Sequence, residues 1–295
     1  VKYIVKEYGE DKLQKITSSL SNPFTYSIDK AIKDVLGISS EEVYKNWKKE
    51  ISEIFSEQII HHNNTENYKL LEIEGTTNIH PIWNPDGNSF LFLSNKLNDY
   101  FGQTDLFLYS INTSKSEKIK GGIKSAPTWV NEKIIIYSKK SKPNKNGSKF
   151  FDLYSYNLEE EEEKRLTIGL RLFSPVFDVM KNKVYAVNTY DGTCNIVSVD
   201  NSEDQLSYKK ITNFTNGLQI FSISLKDSLI LFDGVENHER NIYYFNLNDE
   251  TSGLYKANKW DERDPVSKNG SMITSNDRFG IFNIYLSNNE IGNYL

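Results

Sequence analysis

A pattern of about 45 residues, written five times, constrains this chain more than any other feature. Its clearest copy runs Pro81-Ile82-Trp83-Asn84-Pro85-Asp86-Gly87, then the apolar run Phe90-Leu91-Phe92-Leu93. After a hairpin-sized gap comes Asp105-Leu106-Phe107-Leu108-Tyr109. The opening position recurs at Pro127, Pro175, Ser222 and Pro265, at successive gaps of about 46, 48, 47 and 43 residues. A second anchor recurs at Asp152-Leu153-Tyr154, Asn195-Ile196-Val197, Asn241-Ile242-Tyr243 and Asn283-Ile284-Tyr285. Two anchors that keep one period are hard to obtain by chance.

Each copy reads as four short strands. Pro85 presets φ and Gly87 supplies φ > 0 in the turn after the first strand. The second strand is the apolar run: Phe90–Leu93, Ile134–Tyr137, Val184–Val187, Leu229–Phe232 and Met272–Thr274. The third opens on the Asp or Asn, and the fourth is more polar, as in Arg165-Leu166-Thr167. Runs rich in Tyr, Phe, Ile and Val between turn residues predict antiparallel sheets. A lone four-stranded sheet would expose two apolar faces; stacking such sheets radially buries them. The expected fold is therefore mainly β: a β-propeller of four-stranded blades with five repeats visible.

The Pro-x-Trp-x-Pro-Asp-Gly turn, the Asp-Leu-Tyr strand and the Arg-Leu-Thr ending resemble the TolB-like β-propeller repeat, a family akin to WD40-like propellers. Arg263-Asp264-Pro265-Val266 and Asn283-Ile284-Tyr285 look like a further blade of it. The resemblance covers residues from about Lys69 to the end, and copies three and four depart from it: Pro175-Val176-Phe177 lacks the Trp, and Ser222 replaces the Pro. It implies a bacterial, periplasmic, envelope-associated or secreted setting.

Residues 1–60 carry a helical pattern. Leu13, Ile16 and Leu20 share one spacing, and Ile28, Ile32 and Val35-Leu36 another, with Gly37 as a C-terminal stop. Ser39 with Glu42 forms a capping box, opening a helix with Val43, Trp47, Ile51, Ile54 and Phe55 on one stripe. The division expected is a helical segment at 1–60, a linker at 61–68 and the propeller at 69–295. Tyr8-Gly9-Glu10-Asp11-Lys12-Leu13, the Leu36-Gly37 stop and Ser39–Trp47 are similar to the end of thermolysin-like (gluzincin) metallopeptidase domains. That resemblance implies a zinc motif upstream of this chain. The opening at Val1 and the small helical segment point to an excerpt of a longer protein. The chain is expected to stop soon after the third strand of the fifth copy. Lys69–Ile73 reads as an outer blade strand, which closes the ring on the fifth blade or belongs to a ring that continues to six or more blades.

The net charge of -5 and pI near 5.6 argue against a nucleic-acid surface. No run approaches the ~18 apolar residues of a membrane span. The basic cluster 139–145 and the acidic run Glu159–Glu163 read as solvated turns. The single cysteine, Cys194, excludes an internal disulfide and reads as a packed thiol.

Zinc within the chain is not expected. Four histidines, His61, His62, His80 and His238, offer no His-Glu-x-x-His. No Gly-x-Ser-x-Gly elbow occurs. Carboxylates recur at Asp86, Asp105, Asp152, Asp264 and Asp277, at strand starts and turns, where they would accept backbone N–H groups and fix hairpins. The loops feeding the innermost strands contribute what does not repeat: His80, Lys124, Arg171, Gln219, Arg263 and Asp264. This mixed polar set is the candidate binding site at the channel mouth, for a peptide or protein segment; catalytic residues, metal ligands and cofactors are assigned to none. The expected function is a non-catalytic binding or scaffold propeller. The alternative is the regulatory or substrate-recruiting part of a zinc metallopeptidase.

Overall fold

The computed structural model describes residues 1–59, 69–200, 208–268, 271–286 and 289–293. The chain divides into two compact units, Val1–Asn64 and Thr65–Leu295. The expected linker 61–68, with His61 and His62, lies outside the described residues.

The first unit holds α1 (Lys2–Tyr8), α2 (Asp11–Leu20), α3 (Ile28–Leu36) and α4 (Ser40–Ile59). The expected punctuation holds. Gly37 ends α3 at φ 78°, its N–H donating to the Lys33 carbonyl. The Ser39 hydroxyl accepts the Glu42 N–H at 3.1 Å and starts α4. The helix α1 had no counterpart in the sequence reading. The buried apolar set is small: Ile16, Ala31 and Val43. Trp47, Ile54 and Phe55 of the α4 stripe stay 39%, 44% and 40% exposed, because so few facing side chains cover them.

The second unit is five four-stranded antiparallel sheets, each built from consecutive strands in chain order. Blade 1 is β1 (Asn78–Trp83), β2 (Ser89–Ser94), β3 (Asp105–Ser110) and β4 (Lys115–Lys120). Blade 2 is β5 (Thr128–Trp129), β6 (Ile134–Lys140), β7 (Phe151–Asn157) and β8 (Glu162–Arg165). Blade 3 is β9 (Leu172–Asp178), β10 (Lys183–Asn188), β11 (Asn195–Asp200) and β12 (Tyr208–Lys210). Blade 4 is β13 (Gln219–Lys226), β14 (Leu229–Glu236), β15 (Glu239–Asn246) and β16 (Ser252–Lys256). Blade 5 is β17 (Glu262–Lys268), β18 (Ser271–Asn276), β19 (Asn283–Leu286) and β20 (Asn289–Asn293). The protein is thus a five-bladed propeller preceded by a short helical segment.

Two expectations are corrected. Blade 5 completes its own fourth strand, β20, paired to β19. Residues 69–73 form no strand. Glu72 instead ties this segment to blade 1, accepting from Lys96 Nζ at 2.5 Å and from the Ser116 hydroxyl at 2.7 Å. The Glu72–Lys96 ion pair and the Ser116 hydroxyl hold this segment against blade 1 without a ladder.

The cores lie between blades, as radial stacking demands. Leu91, Leu93 and Leu106 of blade 1 meet Trp129, Ile135 and Tyr137 of blade 2. Ile136 and Leu153 meet Leu172, Val184 and Ala186 of blade 3. Tyr185, Val187 and Ile196 meet Ile220, Ile223 and Phe232 of blade 4, and Leu231 and Ile242 meet Met272 of blade 5. The Trp129 indole N–H donates to the Ile82 carbonyl at 3.1 Å, so the repeated Trp also latches adjacent blades. Cys194 does the same between blades 3 and 4, its half-buried Sγ accepting the Ile220 N–H at 3.2 Å. Burial pushes that thiol up from its ordinary pKa.

The repeated Asp and Asn are structural, but their target differs from the one expected. They hold the connection to the next blade more than their own hairpin. Asp105 accepts the Gly122 N–H at 2.8 Å. Asp152 accepts Gly169 and Leu170 N–H groups, both at 3.0 Å. Asn195 accepts Phe214 N–H at 2.6 Å and Asn241 accepts Asn258 N–H at 3.2 Å. A short side chain at the start of the third strand thus clamps the chain as it crosses between blades.

Candidate functional site

The innermost strands do not run straight. Their ladders slip between Ile79 and Ile82, Phe173 and Val176, Ile220 and Ser222, and Arg263 and Val266. Each slip is a bulge, which re-aims a side chain. In three of them the residue before the proline takes a left-handed backbone: His80 at φ 54°, Ser174 at 50° and Asp264 at 49°. That region costs a non-glycine residue roughly 1 kcal/mol. By the repeat, Ala126 and Phe221 fill the same position in blades 2 and 4.

Of the six candidates, His80 and Asp264 therefore share an equivalent place, and they are coupled electrostatically. Burial lowers the His80 pKa, while Asp264 and then Asp233 pull it back up. Neither the His80 nor the Asp264 side chain makes a hydrogen bond among the described residues. Blades 1, 4 and 5 thus send charge toward one region.

The structure adds Asp233, Arg240 and Ser222, of which the sequence marked only Ser222, as a break in the repeat. Asp233 is fully buried at the end of the β14 apolar run. It takes a forked contact from Arg240, with Nε at 2.7 Å and Nη2 closer, and accepts both the hydroxyl and the backbone N–H of Ser222, the latter at 2.9 Å. Burial pushes the Asp233 carboxyl up; Arg240 and Ser222 oppose this, and Asp264 adds to it. This arrangement explains why copy four lacks the repeated proline. Proline has no N–H, and the Ser222 N–H is one of the donors to Asp233. The signal was present as an Asp abutting an apolar run, with an Arg seven residues on.

The other four candidates sit apart from this cluster in their bonding. Arg171 lies over the Phe150 ring at 4.6 Å, and its Nη1 donates to the Tyr190 carbonyl at 3.3 Å. Arg263 lies over Phe282 at 4.0 Å and pairs with Asp261 at 2.9 Å. Both guanidinium planes are stacked, which holds them in place. The Nε atoms of both are buried without a partner among the described residues. Lys124 and Gln219 are exposed. The six candidates thus carry charges of both signs, with the two arginines held over rings. Among the described residues no group of three or more His, Cys, Asp or Glu side chains is placed to hold a metal ion, and no helix is long and apolar enough to cross a membrane.

Comparisons with known proteins address the fold. No family model matches the chain, and no curated protein matches it. Solved structures do. The chain is similar to TolB from Acinetobacter baumannii at 15% identity and a TM-score of 0.52, over 72% of this chain and 52% of that one. It therefore spans about half the length of that TolB. It is similar to a chain of a nidogen/laminin complex at 9% identity and a TM-score of 0.53, over 68% of this chain and 74% of that one. The propeller domain of the Trilobed protease from Pyrococcus furiosus, described as having an open velcro topology, matches at 12% identity and a TM-score of 0.52, over 75% of this chain and 68% of that one. These likenesses establish a TolB-like propeller fold.

Proposed function

We propose that the propeller is a non-catalytic binding or scaffold unit that takes a protein or peptide segment at its channel mouth, within a bacterial envelope or secreted protein. One observation carries this reading: His80, Asp264 and the Arg240-bound Asp233 converge from three blades, with Arg171 and Arg263 pre-stacked on aromatic rings. Charges held in place before binding lose little freedom when a partner arrives, which favours recognition of an extended polar segment. Propellers of this fold also occur in a nidogen/laminin complex and in TolB. The test is selection of peptides from a random library on the full chain, followed by affinity measurement. Arg171→Ala and Arg263→Ala together should weaken selected peptides by about tenfold or more, given 1–2 kcal/mol for a desolvated stacked cation. Unchanged affinity in the double variant and in Asp264→Asn would overturn the assignment.

A second reading rests on the helical unit. The Gly37 stop followed by the Ser39 cap is the feature similar to the end of thermolysin-like peptidase domains, and the Pyrococcus furiosus neighbour is the propeller domain of a protease. In this reading the chain regulates or recruits substrate for a zinc metallopeptidase whose motif lies upstream. Zinc content and peptidase activity of a chain extended upstream decide it: no zinc bound and no cleavage would remove it.

A further inference from the structure

Blade 4 departs from blades 1, 2 and 5 at one aromatic ring; blade 3 has Val197 in that place. Counted from the cross-strand pairs Ser94–Asp105, Lys139–Asp152, Gly234–Asn241 and Asn276–Asn283, the rings of Phe107, Tyr154, Tyr243 and Tyr285 occupy one equivalent position. Over three of them lies a cation of the chain itself. Lys96 Nζ is 4.6 Å from the Phe107 centroid, Lys139 Nζ is 4.6 Å from Tyr154, and the Arg278 guanidinium is 3.9 Å from Tyr285. In blades 1 and 2 a carboxylate fixes that cation: Glu72 on Lys96 at 2.5 Å and Glu163 on Lys139 at 2.6 Å.

Blade 4 keeps the ring, but among the described residues no cation lies over it, and its carboxylates stand at other positions. The position two residues beyond the pair, Lys96 in blade 1 and Arg278 in blade 5, is Glu236 here. Glu239 faces it across the hairpin. Among the described residues neither forms an ion pair; Glu236 accepts from Asn216 and from the Tyr243 hydroxyl. The nearby Arg240 falls on the opposite face by strand alternation, committed to Asp233 and stacked over Phe221 at 4.3 Å.

These groups line a cavity of about 570 Å³ between blade 4 and the connection that enters it from blade 3, with walls of Phe214, Leu218, Tyr243 and Leu254 and the two carboxylates. Its floor is a row of rings: Tyr243 stacks on Phe232 at 5.6 Å, and Phe214 meets Phe232 at a tilt, 5.8 Å away. Gly234 admits the Leu218 wall, since a Cβ there would stand 2.8 Å from Leu218 Cδ1. Burial raises the Tyr243 hydroxyl, and Glu236 and Glu239 raise it further, so it stays a proton donor to Glu236.

We propose that this cleft binds an organic cation, an alkylammonium or guanidinium group, with its charge on Glu236 and Glu239 and its apolar stem on Phe214 and Tyr243. The ligand supplies the cation that blades 1, 2 and 5 supply from their own chain. The site is separate from the channel mouth, so its fate is independent of the function proposed above.

The test titrates the full chain with n-butylammonium, n-butylguanidinium, neutral n-butanol and the tripeptide acetyl-Gly-Lys-Gly-amide, followed by calorimetry and tyrosine fluorescence. Saturable binding of the cations but not of butanol is expected. Glu239→Gln, at an exposed position, should weaken it by about fivefold or more, the range of a partly desolvated cation–π and charge contact. Glu236→Lys places the cation where blades 1 and 5 carry theirs; it should abolish binding and raise Tm. Arg171→Ala with Arg263→Ala should leave binding unchanged. Tripeptide binding identifies a partner's lysine side chain as the source, and butylammonium binding alone identifies a free amine; both support the proposal. No saturable cation binding, equal binding of butanol, or cation binding that survives both Glu239→Gln and Glu236→Lys would overturn it.

Discussion

Blades 2 and 4 share strand order, hairpin register and a stacked cross-strand ring pair, yet they use charge in opposite ways. In blade 2, Tyr137 and Tyr154 stack at 6.4 Å, with Lys139 over the second ring and Glu163 on Lys139. Lys139 and Glu163 thus satisfy each other within the blade. Its Asp152 is equally closed, taking Arg165 Nη2 at 2.5 Å, the Thr167 hydroxyl at 3.1 Å and two backbone N–H groups. In blade 4, Phe232 and Tyr243 stack at 5.6 Å beside two carboxylates that pair with no cation among the described residues. Its clamp is the neutral Asn241, and its buried carboxylate, Asp233, faces the axial cluster. One backbone solution thus permits either a closed or an open arrangement of charge, because the blade is held by its apolar interfaces and its ladder.

The largest expected effect falls on the closed blade. Asp152→Ala leaves Arg165 and two half-buried N–H groups without their acceptor and should cost about 3 kcal/mol, read as a lower denaturant midpoint with an unchanged slope. An equal loss from Asn241→Ala would erase the contrast, since a neutral clamp with one backbone partner should cost about 1 kcal/mol.

Next is the packing of the open blade. Gly234→Ala sets a Cβ 2.8 Å from Leu218 Cδ1 and 3.4 Å from the Tyr243 ring. Overpacking of this kind should destabilise by about 1–3 kcal/mol. A neutral result in thermal melts would mean that Leu218 yields freely and that the cleft wall is soft. Tyr137→Phe follows: it removes the hydroxyl that donates to Glu163, for about 1 kcal/mol.

The smallest effect is a difference in pH response. Burial raises the Glu163 carboxyl, but hydrogen bonds from Lys139 and Tyr137 outweigh it and hold the group below its ordinary 4.5. Its contribution is therefore full above pH 4.5 and is lost as pH falls through the lower folded value. Asp233 has the opposite sign. Its folded pKa lies above its ordinary 3.8, so the folded state takes up a proton first and gains stability as pH falls toward 3.8. Melting curves between pH 3 and 6 should flatten in Glu163→Gln and steepen in Asp233→Asn. Identical pH profiles for the two variants would contradict the contrast.

Much of this architecture was legible in the chain. Pro81, Trp83, the Phe90–Leu93 run and Asp105 each predicted a local event, and each occurs where the repeat put it. Gly37 and Ser39 likewise marked helix ends. What failed depended on partners distant in sequence. The segment Lys69–Ile73 reads as an outer strand, yet a salt bridge from Glu72 to Lys96, 24 residues on, holds it as coil. Asp105 and Asp152 looked like hairpin fixers, yet their carboxylates accept N–H groups 17 residues forward, in the link with the next blade.

The sequence by itself determined the blade: a period near 45 residues, four strands per unit and the turn chemistry that separates them, all local properties of neighbouring residues. Tertiary structure alone decided which charges meet. A propeller brings residues that are far apart in sequence to one axis, so His80 senses Asp233 and Asp264. It also decided which rings receive a cation, because that depends on side-chain direction across paired strands. Periodicity reports which face a residue is on, and only packing reports what stands opposite.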